Sequence, residues 1–241
     1  MDEQNYDAIV VIPYRNRLDD LEKFKKVLPN CFKAQGIRAL FVIAEQLDEL
    51  PFNRGKLINA AWDFCLGSFP EAQGFYFHDV DVWPRDPLAL SYKLPENNQA
   101  IHIYGIADLY KSGYMYYSYG GTVGCLSRDA ILTTNGFPND FWSWGAEDNI
   151  LGLRIVEKGV HIDLTRKVLR GSTSVDENMK SDRNYDHYSI NTRKLYNRET
   201  EVVENGISNC RYRLVENKID SDGFMWLGLD ISDGYKADIG L

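Results

Sequence analysis

A single α/β domain with a mostly parallel central sheet, spanning residues 1–241, is what this sequence predicts, on three observations. Short apolar runs at residues 8–12, 38–44 and 74–77, rich in β-branched and aromatic side chains, are continuous rather than alternating, as in strands covered on both faces. Segments with helical spacing of apolar residues separate them, so strands and helices take turns along the chain. The charged residues that stand out follow directly on strand ends, where open α/β sheets bind their ligands.

In chain order, Ala8-Ile9-Val10-Val11-Ile12 is the first strand, ended abruptly by Pro13-Tyr14-Arg15-Asn16-Arg17. Arg15 and Arg17 are therefore candidates for a phosphate or uracil clamp, against the plainer reading of a solvated loop. Residues 18–35 read as a helix with Leu21, Phe24, Val27 and Leu28 on one face, kinked or split at Pro29. After the second strand, Asn53 is a possible cap for a helix carrying Leu57, Ile58, Ala60, Ala61, Phe64 and Cys65. Arg54 and Lys56 add charge near its start, and their simplest role is surface solubility.

The third strand runs straight into His78-Asp79-Val80-Asp81-Val82. Two aspartates one residue apart form the pattern by which many nucleotide-sugar enzymes hold a divalent metal against a diphosphate. On an extended chain both would point to one side, one reaching the metal and the other a ribose. Residues 100–104 make another strand, with His102 a packed core residue. The tyrosine-rich residues 110–119 suit a carbohydrate-facing wall, or an amphipathic segment packed on the core. Gly120-Gly121 allows close backbone approach before a strand at 122–126 and a short helix from Arg128.

In Asn135-Gly136-Phe137-Pro138-Asn139-Asp140-Phe141-Trp142-Ser143-Trp144-Gly145-Ala146-Glu147-Asp148-Asn149, the three aromatic side chains after Pro138 lead to adjacent carboxylates at the mouth of a helix running to Glu157. Acidic residues there suit helix capping alone, but indole faces beside carboxylates also make a sugar platform, C–H faces on the rings and hydroxyls on the acids. A strand-like run follows at 160–164. Residues 170–188 are polar and weakly periodic, a candidate mobile loop over a bound donor or a plain connector. Strands at 210–215 and 224–231 pair around the turn Asp220-Ser221-Asp222-Gly223.

The chain as a whole restricts the partners. A net charge of -8 argues against a general nucleic-acid binder, although a local basic cluster can still hold one diphosphate. The four cysteines, Cys31, Cys65, Cys125 and Cys210, are scattered with no CxxC pair and read as free thiols, mostly buried. No apolar run approaches the roughly 20 residues that cross a bilayer.

Together, residues 13–17, Phe52-Asn53-Arg54-Gly55-Lys56-Leu57-Ile58-Asn59, Asp79-Val80-Asp81, Gly120-Gly121 and the 135–148 stretch resemble, in order and rough spacing, the β-1,4-galactosyltransferase family. The resemblance covers nearly the whole chain. It implies a GT-A fold, a Rossmann-like nucleotide-sugar-binding α/β architecture. It also implies an inverting transfer of galactose, or N-acetylgalactosamine, from its UDP conjugate to a saccharide acceptor, with Mn2+ (or Mg2+) as cofactor. Carried over by position, Pro13, Arg15, Arg17, Phe52, Arg54, Asp79, Val80, Gly121, Trp144 and Glu147 resemble donor contacts, and Asp81 the metal ligand. Asp148 resembles the catalytic base, and Trp142, Trp144, Asp148 and Asn149 line the acceptor side.

Three departures from the family's pattern stand out. Asn149 stands where vertebrate members carry a second aspartate, leaving the acceptor open. The family's downstream Met-x-x-His metal ligands are absent, with Asp176 near the expected histidine position and His187 farther along as substitutes. The tyrosine that helps choose the donor sugar corresponds to Tyr119 or Ser118. The expected location is cytoplasmic, the alternative being the lumenal catalytic domain of a truncated Golgi-type enzyme. The expected alternative to an enzyme is a catalytically silent nucleotide-sugar or carbohydrate-binding module.

Overall fold

All seven residues of β1 (Ala8–Tyr14) are buried. Ile9 and Val11 face one hydrophobic cluster while Ala8, Val10, Ile12 and Tyr14 face another, which is why the run is apolar without interruption. The chain is seen here in a computed structural model that describes residues 5–105, 121–164, 168–169, 173–178, 186–197 and 205–239.

Helix α1 (Leu18–Ala34) buries Leu21, Phe24, Leu28, Cys31 and Phe32 along one stripe. It runs through Pro29 as one helix rather than splitting there, because the buried stripe continues on both sides of the proline and offsets the hydrogen bond it removes. Next come β2 (Ala39–Gln46), parallel to β1, and α2 (Arg54–Ser68). Lys56, a surface charge in the sequence reading, is only 3% exposed. Its stem is covered by α2's packing, and its ammonium donates to the Asp233 carbonyl at 2.5 Å beneath the Trp142 ring.

β3 (Gly74–His78) flanks β1 on the other side, again parallel. β4 (Val82–Pro84) leaves the sheet, and β5 (Gln99–Gly105) and β6 (Val123–Ser127) return to it. Then follow α3 (Arg128–Thr134), α4 (Glu147–Glu157), β7 (His161–Asp163), β8 (Val168–Leu169), β9 (Val175–Glu177), α5 (Tyr188–Asn197), β10 (Arg213–Ile219), β11 (Met225–Asp230) and α6 (Tyr235–Asp238). The main sheet has the order β10-β11-β2-β1-β3-β6-β5-β7, with β8 also on β5. It is parallel from β11 to β3 and antiparallel where β6 joins β3 and β5. Helix α1 covers one face; α2, α3 and α4 cover the other. This is the α/β architecture expected.

Within the range 170–188, Val175–Glu177 is a strand on β4 and Tyr188 already begins α5. Residues 170–172 and 179–185 of that range lie outside the described residues, as do residues 110–119 with Ser118 and Tyr119. The expected hairpin forms between β10 and β11, its turn closed by Asp220, whose carboxylate accepts from the backbone of Asp222 and Phe224 and from the Trp226 indole. All four cysteines are free, three of them buried. No helix among the described residues is long and apolar enough to cross a membrane.

Candidate active site

The parallel strands β2, β1 and β3 end on the same edge of the sheet, and the predicted residues gather there. Asn53 sets up the first part. Its side chain accepts from the Lys56 N–H at 2.9 Å, capping α2, and donates to the Asn139 carbonyl at 2.7 Å; its own backbone N–H donates to Gln46 at 3.0 Å. The next residue, Arg54, is thereby aimed across the edge. Its Nε donates to Asp79 at 2.8 Å, one terminal nitrogen to Glu147 at 3.4 Å and the other to the Gly121 carbonyl at 3.1 Å, with Phe77 and Phe137 rings beneath the guanidinium. Burial alone would lower its pKa, but the charges of Asp79 and Glu147 prevail and raise it. A Cβ on Gly121 would stand 2.6 Å from the Tyr104 carbonyl, so the backbone can come this close only at a glycine.

Asp79 and Asp81 do not project from an extended chain as the sequence reading supposed. Residues 80 and 81 turn between β3 and β4, so the two carboxylates part: Asp79 meets Arg54, and Asp81 meets Arg17 at 2.9 Å. Burial, and then the charge of Asp79, push the Asp81 carboxyl up to about 6 against the pull of Arg17. Asp20, not singled out in the sequence, is fully buried beside them. It accepts from Arg17 at 3.4 Å and from the Asn178 amide at 2.6 Å, while the Asn178 backbone N–H donates to the Asp81 carbonyl. In sequence it is indistinguishable from an ordinary first-turn acid of α1.

Pro13 and Val80 are buried supports of this edge. Arg15 donates to the Leu50 carbonyl at 2.6 Å and lies over the Phe52 ring. With Asn16, Gln46, Asp48 and Pro51 it lines a cleft of about 600 Å³ beyond the ends of β1 and β2.

The aromatic stretch divides between core and surface. Trp142 is fully buried, its indole N–H donating to Asp238 at 2.8 Å and its ring edge-to-face with Tyr235. It belongs to the core and cannot be the acceptor wall the sequence suggested, since no face of it reaches solvent. Trp144 is 39% exposed and stacks on Tyr188, rings 5.7 Å apart, an aromatic partner with no signal in the sequence beyond its place at the head of α5. The turn leading into α4 is left-handed at Ser143 (φ 64°), Gly145 (φ 110°) and Ala146 (φ 77°). At the two non-glycine positions this costs on the order of 1 kcal/mol each. It brings Glu147 to Arg54 and leaves Asp148 beside it, one Asp148 oxygen accepting the Asn149 N–H at 2.8 Å. Burial and the Asp148 charge together push the Glu147 carboxyl up, to about 7, despite Arg54.

For a divalent cation, the donor chemistry at Asp81 fits. It is a partly buried carboxylate beside a second one, with a guanidinium as stand-in positive charge, and hard cations take such oxygens. The remaining expected ligands do not join it. Asp176 pairs with Arg85 at 2.8 Å, and His187 contacts Ser143 and Tyr235. Among the described residues no group of three or more His, Cys, Asp or Glu side chains is arranged to hold a metal.

Two family models match this chain. Residues 3–93 match the N-terminal region of glycosyl transferase group 7, and residues 102–177 match a model described as the N-terminal domain of galactosyltransferase. The chain belongs to the family 7 galactosyltransferases. Relatives within the family include β-1,4-galactosyltransferase 1 of Mus musculus, 28% identical over 211 residues, covering 88% of this chain and 51% of the relative. β-1,4-galactosyltransferase 2 of Cricetulus griseus is 30% identical, covering 86% and 55%. The chain thus spans about half the length of the curated relatives it matches. A crystal structure of a Drosophila β-1,4-galactosyltransferase 7 mutant, in complex with manganese, UDP-Gal and xylobiose, superposes with a TM-score of 0.69 over 94% of both chains at 22% identity, a likeness of fold. The family 7 chain therefore has the GT-A fold.

Proposed function

We propose that this chain is the catalytic domain of a metal-dependent inverting glycosyltransferase that moves galactose from UDP-galactose to a saccharide hydroxyl. The observation that carries the reading is the convergence of Asp79, Glu147 and Asp148 about the buried Arg54 guanidinium, next to a cleft at the carboxyl edge of the sheet. Family membership supports galactose as the donor sugar, and the manganese, UDP-Gal and xylobiose bound by the Drosophila neighbour support the metal, the nucleotide and a saccharide acceptor.

In this reading the Arg15–Phe52 pair and the cleft beside it take the nucleotide end of the donor. Arg54, with each of its nitrogens engaged, acts by fixing Asp79 and Glu147 toward the ribose and the donor sugar. Asp81 would hold Mn2+ (or Mg2+), which when bound neutralises charge on the diphosphate. Trp144 with Tyr188 gives the sugars an apolar face. Asp148 takes the proton of the acceptor hydroxyl as its oxygen bonds to C1 of galactose from the far side; the C1–phosphate oxygen bond breaks and UDP departs with the electron pair. One base suffices for inversion.

The test is release of UDP with manganese present, comparing UDP-galactose, UDP-N-acetylgalactosamine and UDP-glucose, each with and without GlcNAc-, glucose- and xylose-ending acceptors. Release from UDP-galactose that depends on an acceptor is the expected result. Acceptor-independent release would make the site a hydrolase, and UDP binding without any release would make it a silent module.

A further inference from the structure

His187 is offered by the sequence as a metal ligand, but its imidazole is engaged elsewhere. Nδ1 lies 2.9 Å from Ser143 Oγ, and Nε2 lies 3.5 Å from the Tyr235 hydroxyl, a long contact reinforced by an edge-to-face approach of the two rings. Ser143 is a left-handed non-glycine residue immediately before Trp144, and Gly145 and Ala146 continue the same strained turn. Such a conformation persists only where the surroundings impose it. Two contacts hold Ser143: its N–H donates to the Phe52 carbonyl at 2.9 Å, and its hydroxyl meets His187.

Helix α5, which begins at the residue after His187, is itself fastened to the same stretch. From α5, Asn191 donates to the Trp142 carbonyl at 2.9 Å, and the Lys194 ammonium donates to the carbonyls of Asp140 and Asp238, both at 2.7 Å. Tyr188 lies against Trp144 and would touch any Cβ on Gly145 at 3.4 Å. A neutral imidazole has one donor and one acceptor nitrogen, and both of its partners here are hydroxyls able to play either part, so the contact is satisfied in either tautomer.

We propose that His187 is a positioning residue, a latch by which α5 and α6 hold the 143–146 turn and so set Trp144, within that turn, and Asp148, just after it. The turnover part of its test rests on the transferase reading above; the part that follows the turn itself does not. His187→Phe keeps a flat ring against Tyr235 and removes the bond to Ser143, Ser143→Ala removes the other half of that bond, and His187→Gln restores a polar group. Hydrogen exchange read by mass spectrometry over residues 141–148 should quicken about tenfold or more in His187→Phe and in Ser143→Ala, with β1 to β3 unchanged and partial recovery in His187→Gln. Turnover should fall about 10- to 100-fold, as expected when catalytic groups are displaced by about 1 Å, while manganese-dependent UDP binding stays within about twofold of the unaltered protein. Unchanged exchange in both variants would overturn the latch, and so would loss of manganese-dependent UDP binding in His187→Phe, which would return His187 to the metal. If His187→Phe does not fold, Ser143→Ala carries the same comparison. If the unaltered protein transfers no sugar, the transferase reading fails while the exchange comparison still decides the latch.

Discussion

Arg54 is surrounded by acceptors it cannot leave: Asp79, Glu147 and a carbonyl use all three of its nitrogens. The cluster nevertheless holds more carboxylate than one guanidinium neutralises, and Glu147 responds with a pKa raised from 4.5 to about 7 by burial and by Asp148. A carboxyl group whose folded value lies above its unfolded one binds its proton more tightly when folded. It therefore favours folding below about pH 4.5 and loses that contribution as pH rises to about 7. In metal-free urea titrations, the stability of the unaltered protein relative to Glu147→Gln should fall across that window by on the order of 2 kcal/mol. A difference that stays flat from pH 4.5 to 7.5 would mean that Glu147 is not held protonated. Asp148 makes the complementary case. Because one of its oxygens accepts the Asn149 N–H and an amide oxygen can do the same, Asp148→Asn should fold within about 0.5 kcal/mol of the original and bind UDP normally. Transfer should drop about 10²- to 10⁴-fold, since an amide cannot take the acceptor's proton; activity equal to the original in a UDP-release assay would remove Asp148 as base.

At the scale of elements, α2 converts a capping preference into the geometry of the site. The side chain that caps it also ties it to residue 139, so Arg54 is held from two directions. Asn53→Ala should cost about 1–3 kcal/mol in urea denaturation and weaken UDP binding. Asn53→Ser, which can cap but cannot reach Asn139, should recover most of the stability and little of the affinity. UDP affinity in Asn53→Ser equal to that of the unaltered protein would show that the tie to Asn139 does not matter. The elements that carry the site were legible for the same physical reason. β1, β2 and β3 are covered on both faces and so are written as unbroken apolar runs, and α2 announces itself with an asparagine cap. Helices α5 and α6 were missed because they are short and polar, and their stability comes from Lys194, Asn191 and Asp238 reaching partners remote in sequence. Trp142 was misplaced for a related reason, since an indole in an aromatic-acidic stretch reads the same whether it faces a sugar or a buried carboxylate. The turn at residues 80 and 81 was likewise invisible in a DxD spacing that suits an extended chain equally well.

Over the whole molecule, the C-terminal hairpin and α6 return the end of the chain to where its middle began the site. β11 joins β2 as a parallel neighbour, widening the sheet on the cleft side, and α6, which begins five residues after it, brings Tyr235 and Asp238 against Trp142. Asp238 thus lies at a joint shared by α5, through Lys194, and by the 139–142 stretch, although nothing places it at the cleft. Its carboxyl is raised by burial, against the pull of the Trp142 indole and Lys56. Removing it leaves the indole N–H of a fully buried ring without its acceptor, a loss of about 1–3 kcal/mol. Asp238→Ala should therefore lower the unfolding free energy measured in urea by that amount and loosen the turn that carries Trp144. Asp238→Asn, which keeps an acceptor oxygen, should lose less of both. The informative comparison is turnover measured well below the unfolding midpoint, where every molecule is folded. If α6 serves only stability, Asp238→Ala will turn over normally there. If α5 and α6 together brace the 139–146 stretch, kcat will fall while the KM for the donor barely moves, because the cleft is lined by residues 15–16 and 45–51, none of which belongs to the joint at Asp238.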